Sequence, residues 1–286
     1  MIKIAIVKAG NIATSTIIDI ILDERAHRED IEVRVIGSGP KMEVKVIKEV
    51  MAIALALEPD LLIYVGPNIS SKRNMEVAKV LKDFKIPIIF IGDAKNKHIL
   101  KTLELYGIGY IILESDPLLG AKRAILDSTE MVLFNANVLK VLAVSGTIRL
   151  LQHELDRVIK GLKHNKTLLP RQIVDSDLAL KYSGIKNPYA NAKAKASFEM
   201  ASIVHKLNYR ACFELKKKEE YIPCVVSAHE LAETAAEIAQ NARNIEKIND
   251  SILRDPHDRY GQILRKEKLY GDLALLSELY QEQNDV

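Results

Sequence analysis

An open parallel α/β sheet of Rossmann-like plan, followed by a mainly helical region with a small β element near the C-terminus, is the fold that the sequence predicts. Three observations lead there. Five short β-branched runs recur in the first half, amphipathic stretches separate them, and no hairpin turn signal joins any two of them. The runs are Ile2 to Val7, Ile31 to Ile36, Leu61 to Val65, Ile88 to Ile91 and Tyr110 to Leu113. Their nearly continuous apolar character is that of strands covered on both faces by helices. Proline supplies the punctuation: Glu58-Pro59-Asp60 and Ile86-Pro87 end helices before strands, because proline drives its predecessor out of the α region.

After Leu113 the strand signal fades. Ser115-Asp116-Pro117 has the form of an N-cap with proline in the first helical turn. From Ser128 to Lys160 the apolar spacing predicts one or two long packed helices, broken near Ser145-Gly146. A further helix begins at Asn187-Pro188 and runs to about His205, and another opens at Ser227-Ala228-His229-Glu230 and runs to about Asn249. Between these, Arg210 to Leu215 and Tyr221 to Val226 flank a charged turn and predict a small antiparallel pair, while Ser251 to Lys266 carries the turn signals of a short hairpin. The expected division is an α/β domain over 1–127, a helical domain over 128–250 and a C-terminal hairpin with extension over 251–286.

A length of 286 residues, 48% of them apolar, allows a large core and a second unit beside it. Lys and Arg total 41 against 38 Asp and Glu, so no general attraction to nucleic acid or anionic membrane is expected. Cys212 and Cys224 form no paired motif for zinc or iron–sulfur, and no metal is expected. The absence of a signal-like start and of any spanning apolar stretch leads to a cytoplasmic expectation.

Ligands of open parallel sheets bind outside the carboxyl ends of the strands. Strand one runs into Lys8-Ala9-Gly10-Asn11-Ile12-Ala13-Thr14-Ser15, strand three into Gly66-Pro67-Asn68 and strand four into Gly92-Asp93-Ala94. Glycine after a strand often only makes a tight turn, but three such ends describe a crevice lined by backbone N–H groups, with Thr14 and Ser15 hydroxyls at a helix start. The Gly-x-Gly-x-x-Gly fingerprint is absent, which disfavours NAD. His229-Glu230 opens like a zinc-protease helix, yet Glu233 stands where the second histidine would be, and Ser227 with Glu230 has capping-box spacing. No nucleophile elbow or paired catalytic carboxylates emerge. A nicotinamide dehydrogenase and a non-catalytic sensor or assembly subunit stay open as rival readings.

Taken together, the strand-one loop, Leu22-Asp23-Glu24-Arg25-Ala26, Gly66-Pro67-Asn68, Ile91-Gly92-Asp93-Ala94, Leu119-Gly120-Ala121-Lys122-Arg123, Asn135-Ala136, Asn187-Pro188-Tyr189-Ala190, Ser227-Ala228-His229-Glu230 and Leu253-Arg254-Asp255-Pro256-His257 carry a resemblance. In family order and over nearly the whole chain, the sequence resembles the coenzyme F-420-dependent methylenetetrahydromethanopterin dehydrogenases of methanogenic archaea. It departs from their pattern at Ala13, where glycine is expected, at Lys122, where arginine is expected, and in extra residues beyond Lys268.

The resemblance implies reversible hydride transfer between methylenetetrahydromethanopterin and the 8-hydroxy-5-deazaflavin coenzyme F-420, in methanogenesis and one-carbon metabolism. It implies no metal, no NAD, no obligatory acid–base residue, and a homohexamer. By this analogy Lys8, Gly10, Asn11, Ile12, Ala13, Thr14, Ser15, Gly66, Pro67, Asn68, Asp93 and Ala94 hold the coenzyme. Arg123, Asp127, Glu130, Asn135, Tyr189 and His229 would meet the pterin substrate.

Overall fold

The computed structural model of the chain describes residues 1–69 and 71–277. Strands β1 (Ile2–Lys8), β2 (Ile31–Gly37), β3 (Leu61–Val65), β4 (Ile88–Gly92) and β5 (Gly109–Leu113) fall on the five expected runs. Helices α1 (Val44–Leu55), α2 (Lys72–Leu81) and α3 (Lys97–Leu105) follow β2, β3 and β4. Between β1 and β2 the expected helix is replaced by a four-residue 3-10 turn, Ala13–Thr16, and further turns.

The period-two alternation of the strands sorts their side chains onto two faces. Ala5, Val7, Leu62, Tyr64, Phe90 and Ile112 pack with Ile47, Val77 and Leu103 of α1 to α3. Ile4, Ile6, Ile63, Ile91 and Ile111 pack on the other face against Ile18, Leu22 and Leu151, Leu155 and Val158. Both faces of the central strands β3, β4 and β5 are covered, which is why they read as unbroken apolar runs, whereas the edge strand β2 carries Glu32 and Arg34 and is largely part-exposed.

Helices α4 (Ser128–Val144) and α5 (Thr147–Lys163) break at Ser145–Gly146 as the sequence predicts. Gly146 has φ +92°, and a Cβ there would lie 2.3 Å from the Ala179 carbonyl oxygen, so the corner requires glycine. The chain then returns to the sheet as β6 (Arg171–Val174), which pairs in parallel with β5. The sheet order among the described residues is β2-β1-β3-β4-β5-β6. Sequence reasoning missed β6 because an edge strand of four residues, two of them polar, carries no continuous apolar run.

After the short α6 (Ser176–Leu180), α7 (Pro188–Tyr209) and α8 (Lys218–Ile248) form an antiparallel hairpin joined by a π-helical turn, Arg210–Glu214. Ala190, Ala194 and Ala201 of α7 meet Ala235, Ala236, Ala239 and Ala242 of α8, with Val141 and Val144 of α4 beside them. These small side chains let the helix axes approach closely.

Three local expectations are corrected here. The 210–226 segment is helical rather than an antiparallel pair: Pro223 lies in the second turn of α8, where its missing N–H deprives only the first-turn Glu219 carbonyl. Ser227 and Glu230 are therefore interior to α8 and form no capping box. No helix starts at Ser115-Asp116-Pro117, because Asp116 is drawn into a buried contact described below.

The C-terminal segment folds back on itself through bridges between Arg254 and Lys266 and between His257 and Ile263, with a turn at Gly261. Its short strands β7 (Leu264–Arg265) and β8 (Ala274–Leu275) pair antiparallel. The residues beyond Lys268 thus supply β8, and 278–286 lie outside the described residues. Asp255 accepts hydrogen bonds from Arg265 Nε and Nη2, each at 2.8 Å. Buried His257 lies between Glu24 at 3.0 Å and Asp156 at 2.8 Å. Among the described residues no single helix is long and apolar enough to cross a membrane.

Candidate functional site at the carboxyl ends of the strands

In a sheet of this order the chain leaves β1 and β3 toward opposite faces, opening a crevice between their carboxyl ends. The loops that end β1, β3 and β4 converge there. Ala9 N–H donates to the Val65 carbonyl at 2.9 Å and Gly66 N–H to the Ile91 carbonyl at 3.1 Å, so each strand pairing extends into its loop. A Cβ at Gly66 would lie 2.1 Å from the Ala9 carbonyl oxygen, and one at Gly92 would lie 2.7 Å from Ile69 Cγ2. These glycines admit neighbouring protein. At Gly10 (φ +78°) a Cβ would meet Met42 Sδ at 2.9 Å and Pro67 Cδ at 3.2 Å, which brings Gly10 and Pro67 to one spot.

The first loop is braced from within. Ser15 Oγ accepts the Ile12 N–H at 3.0 Å. The two carboxylate oxygens of Asp116, at the end of β5, accept the Ala13 and Thr14 N–H groups, each at 2.9 Å. The expected helix start with free N–H donors is therefore absent: three successive donors already have protein partners. Lys8 reaches Asp19 at 2.8 Å and remains part-exposed, as does Asn11. A ligand beside this loop would meet these outer side chains.

Asp116 is fully buried. Burial, reinforced by the nearby Asp93 charge, pushes its carboxyl up to about 7 against the pull of the Ala13 and Thr14 hydrogen bonds. Asp93 is also buried; its Oδ1 accepts the Asn68 N–H at 2.5 Å, and its Oδ2 lies 3.3 Å from His205 Nδ1 on α7. Asn68 takes φ +47°, a conformation that asparagine tolerates better than most residues, and its carbonyl is held by Asn74 Nδ2 at 2.8 Å. Ala94 follows as part-exposed backbone at the same rim.

Helices α4, α7 and α8 close over the first loop. Ala13 shares an apolar cluster with Leu119, Phe134, Val138, Val204, Ala228 and Ala232. Asn208 Nδ2 donates to the Leu118 carbonyl at 2.8 Å, which ties α7 to the loop after β5. On this helical wall, Asp127 caps α4 by accepting the Glu130 N–H at 2.9 Å. The His229 ring lies 4.8 Å from that of Phe134, and burial depresses its basicity against the opposing pull of Glu130 and Glu230. Asn135 donates back to the Met131 carbonyl at 2.9 Å.

Asp127, Glu130, Asn135 and His229 are thus gathered on α4 and the facing part of α8, and Arg123 is exposed on the loop leading into α4. Tyr189 is not brought to them. It sits exposed at the start of α7, about 24 Å along the helix from His205. Two residues of the site escaped sequence reasoning, Asp116 and His205. An aspartate three residues past the end of β5 was the available signal for Asp116, but its Asp-Pro context resembles a helix cap. His205 had no signal, since only tertiary packing carries it to Asp93.

Buried polar atoms at this end of the molecule lack hydrogen-bond partners among the described residues: Thr14 Oγ1, Asp93 Oδ2, Ser115 Oγ and His205 Nδ1 at the crevice, and Asn208 Oδ1 and His229 Nε2 on the wall. Such atoms suit a polar ligand seated between the strand ends and the helices. No group of three or more His, Cys, Asp or Glu side chains fit to hold a metal ion occurs among the described residues.

An all-parallel α/β sheet with a crevice at its switch point, a helical wall and no dinucleotide fingerprint defines a Rossmann-like α/β protein whose candidate site is not built on the glycine-rich pyrophosphate turn. Comparison with known proteins makes this specific. The family model described as methylene-5,6,7,8-tetrahydromethanopterin dehydrogenase matches residues 2–274, and the chain belongs to that family. The chain is 45% identical over 261 residues to the F-420-dependent methylenetetrahydromethanopterin dehydrogenase of Methanobrevibacter smithii, covering 91% of this chain and 95% of the relative. It is 41% identical to the Methanocaldococcus jannaschii enzyme of the same name, covering 94% and 98%. A solved structure of an F-420-dependent methylene-tetrahydromethanopterin dehydrogenase in complex with methylene-tetrahydromethanopterin and coenzyme F-420 superposes with TM-score 0.92 at 38% identity, covering 96% of this chain and 100% of that one.

Proposed function

We propose that this chain transfers hydride reversibly between methylenetetrahydromethanopterin, giving methenyltetrahydromethanopterin, and coenzyme F-420. The observation that carries the reading is the match over nearly the full length to a structure that holds both of those molecules. The crevice fits the chemistry. Loss of hydride from the methylene carbon leaves an amidinium-like methenyl cation stabilised by its two nitrogens, so no acid–base group is obligatory. The coenzyme, when bound, supplies a carbon centre that accepts and returns two electrons as hydride.

The protein's own part is orientation, electrostatics and exclusion of water. The strand-end loops, with Lys8, Gly10, Asn11, Ile12, Ala13, Thr14, Ser15, Gly66, Pro67, Asn68, Asp93 and Ala94, would hold the coenzyme. The wall formed by α4 and α8 would take the pterin through Asp127, Glu130, Asn135 and His229, with Arg123 toward its anionic tail. Glu130 favours positive charge on that side, and the buried, apolar surroundings of Phe134 keep water away. A cytoplasmic homohexamer belongs to the same proposal and is tested by sedimentation of the purified protein.

The test of function is spectroscopic. Purified protein given the methylene substrate should bleach the visible absorption of oxidised coenzyme F-420 and leave NAD and NADP unreduced. Absence of bleaching refutes the reading. Gly10→Val should weaken coenzyme binding, because the added methyls enter the space beside Met42 and Pro67.

A further inference from the structure

The proposed function makes no use of His205, which lies near the C-terminal end of α7. Its setting is specific. Nδ1 is buried and lies 3.3 Å from Asp93 Oδ2, an ion-pair distance at which neither atom completes a hydrogen bond. Asp93 cannot turn away easily, because its other oxygen is held by the Asn68 backbone at 2.5 Å. The histidine side chain nevertheless keeps 23% of its surface exposed, so the ring is anchored on one edge and open elsewhere. One turn further along α7, Tyr209 stacks on it with ring centroids 6.2 Å apart, and Phe213 continues the row 5.1 Å from Tyr209. Tyr209 and Phe213 are themselves exposed.

We propose that His205 is a coenzyme-contacting residue of the strand-end crevice, oriented by Asp93 and accepting a hydrogen bond through Nε2 from an N–H or O–H on the edge of the deazaflavin. The inference rests on the function proposed above and deepens it. With a carboxylate as its nearest polar neighbour, Nδ1 is the nitrogen favoured to carry the ring proton, which leaves the Nε2 lone pair for a partner. Asp93 then acts as a positioning residue: it fixes the ring plane without itself needing to touch the ligand. Asn68, Asp93 and His205 form a chain from the β3 loop through the β4 loop to α7, so ligand contact at His205 is felt at both strand ends.

Two isosteric substitutions separate this role from a merely structural one. His205→Asn keeps a donor where Nδ1 faces Asp93 and removes the outer nitrogen, whereas His205→Gln places an amide oxygen near the position of Nε2. Dissociation constants for oxidised coenzyme F-420 are read from quenching of its fluorescence, with thermal denaturation recorded in parallel. The expected result is a dissociation constant at least fivefold weaker for the Asn variant with an unchanged melting temperature, and one within twofold of wild type for the Gln variant. Unchanged binding by the Asn variant, or equal loss in both variants, overturns the assignment.

If the Asn variant does not fold, histidine-labelled wild-type protein supplies the answer. Addition of coenzyme must then shift the His205 Nε2 nitrogen resonance, and an unmoved resonance overturns the assignment. Wild-type protein that binds no coenzyme at all would instead refute the proposed function, so the two failures are distinguishable.

Discussion

Replacement of Asp116 by asparagine should abolish a pH-dependent loss of stability that the wild-type chain carries. The carboxyl is fully buried and raised from 3.8 to about 7, so between those values the folded chain holds a proton that the unfolded chain has released. Folding stability contributed by this group is therefore complete below about pH 4 and declines as the pH rises toward 7. At roughly 1.4 kcal/mol per pH unit, that span sets a ceiling of about 4 kcal/mol. The amide introduced by Asp116→Asn would have the same shape, no charge, and one oxygen for the Ala13 or Thr14 N–H, leaving the other donor opposed at a cost of about 1–3 kcal/mol. The variant should be the less stable protein at pH 4 and should draw level with or overtake wild type by pH 8. Urea denaturation at a series of pH values measures both curves, and subtraction cancels the groups that the two proteins share. Parallel curves across pH 4 to 8 would refute the reasoning, because they would mean that Asp116 ionises in the folded chain as easily as in water.

Three further outcomes follow from the geometry. His257, buried between Glu24 and Asp156 and raised to about 9, contributes stability that is complete below pH 6.5 and lost as the pH climbs through 9; a His257→Gln chain should lose that dependence in calorimetry, and with it up to about 3 kcal/mol at neutral pH. Gly66→Ala sets a methyl 2.1 Å from the Ala9 carbonyl oxygen and should lower stability by about 1–3 kcal/mol or prevent folding, visible as a lower denaturant midpoint. Asp127→Ser retains a cap for α4, whereas Asp127→Ala removes one worth about 1 kcal/mol. If Asp127 also meets the pterin, both variants should raise KM for the methylene substrate while only the Ala variant lowers the melting temperature; an unchanged KM in the Ser variant would confine Asp127 to capping.

What the sequence determined by itself was set by strong short-range signals. β-Branched runs set five strands, nearly continuous where a strand is covered on both faces and so needs apolar residues at almost every position, and Gly146 marked the corner between α4 and α5 through a conformation open to few other residues. The ordered set of short motifs was enough for the family. Only the tertiary structure decided the rest. Strand β6 exists because an edge place beside β5 was available to four half-polar residues, and the 210–226 segment continues the helical hairpin, with Ala211 and Val225 buried and Cys224 Sγ donating to the Leu207 carbonyl of α7. Above all, the bond from Asp116 to the Ala13 and Thr14 backbone joins residues about a hundred positions apart, and the Asp93–His205 contact joins a strand end to a distant helix. Local pattern holds no record of such contacts; they arise when burial forces each polar group to find whichever partner the fold has carried within reach.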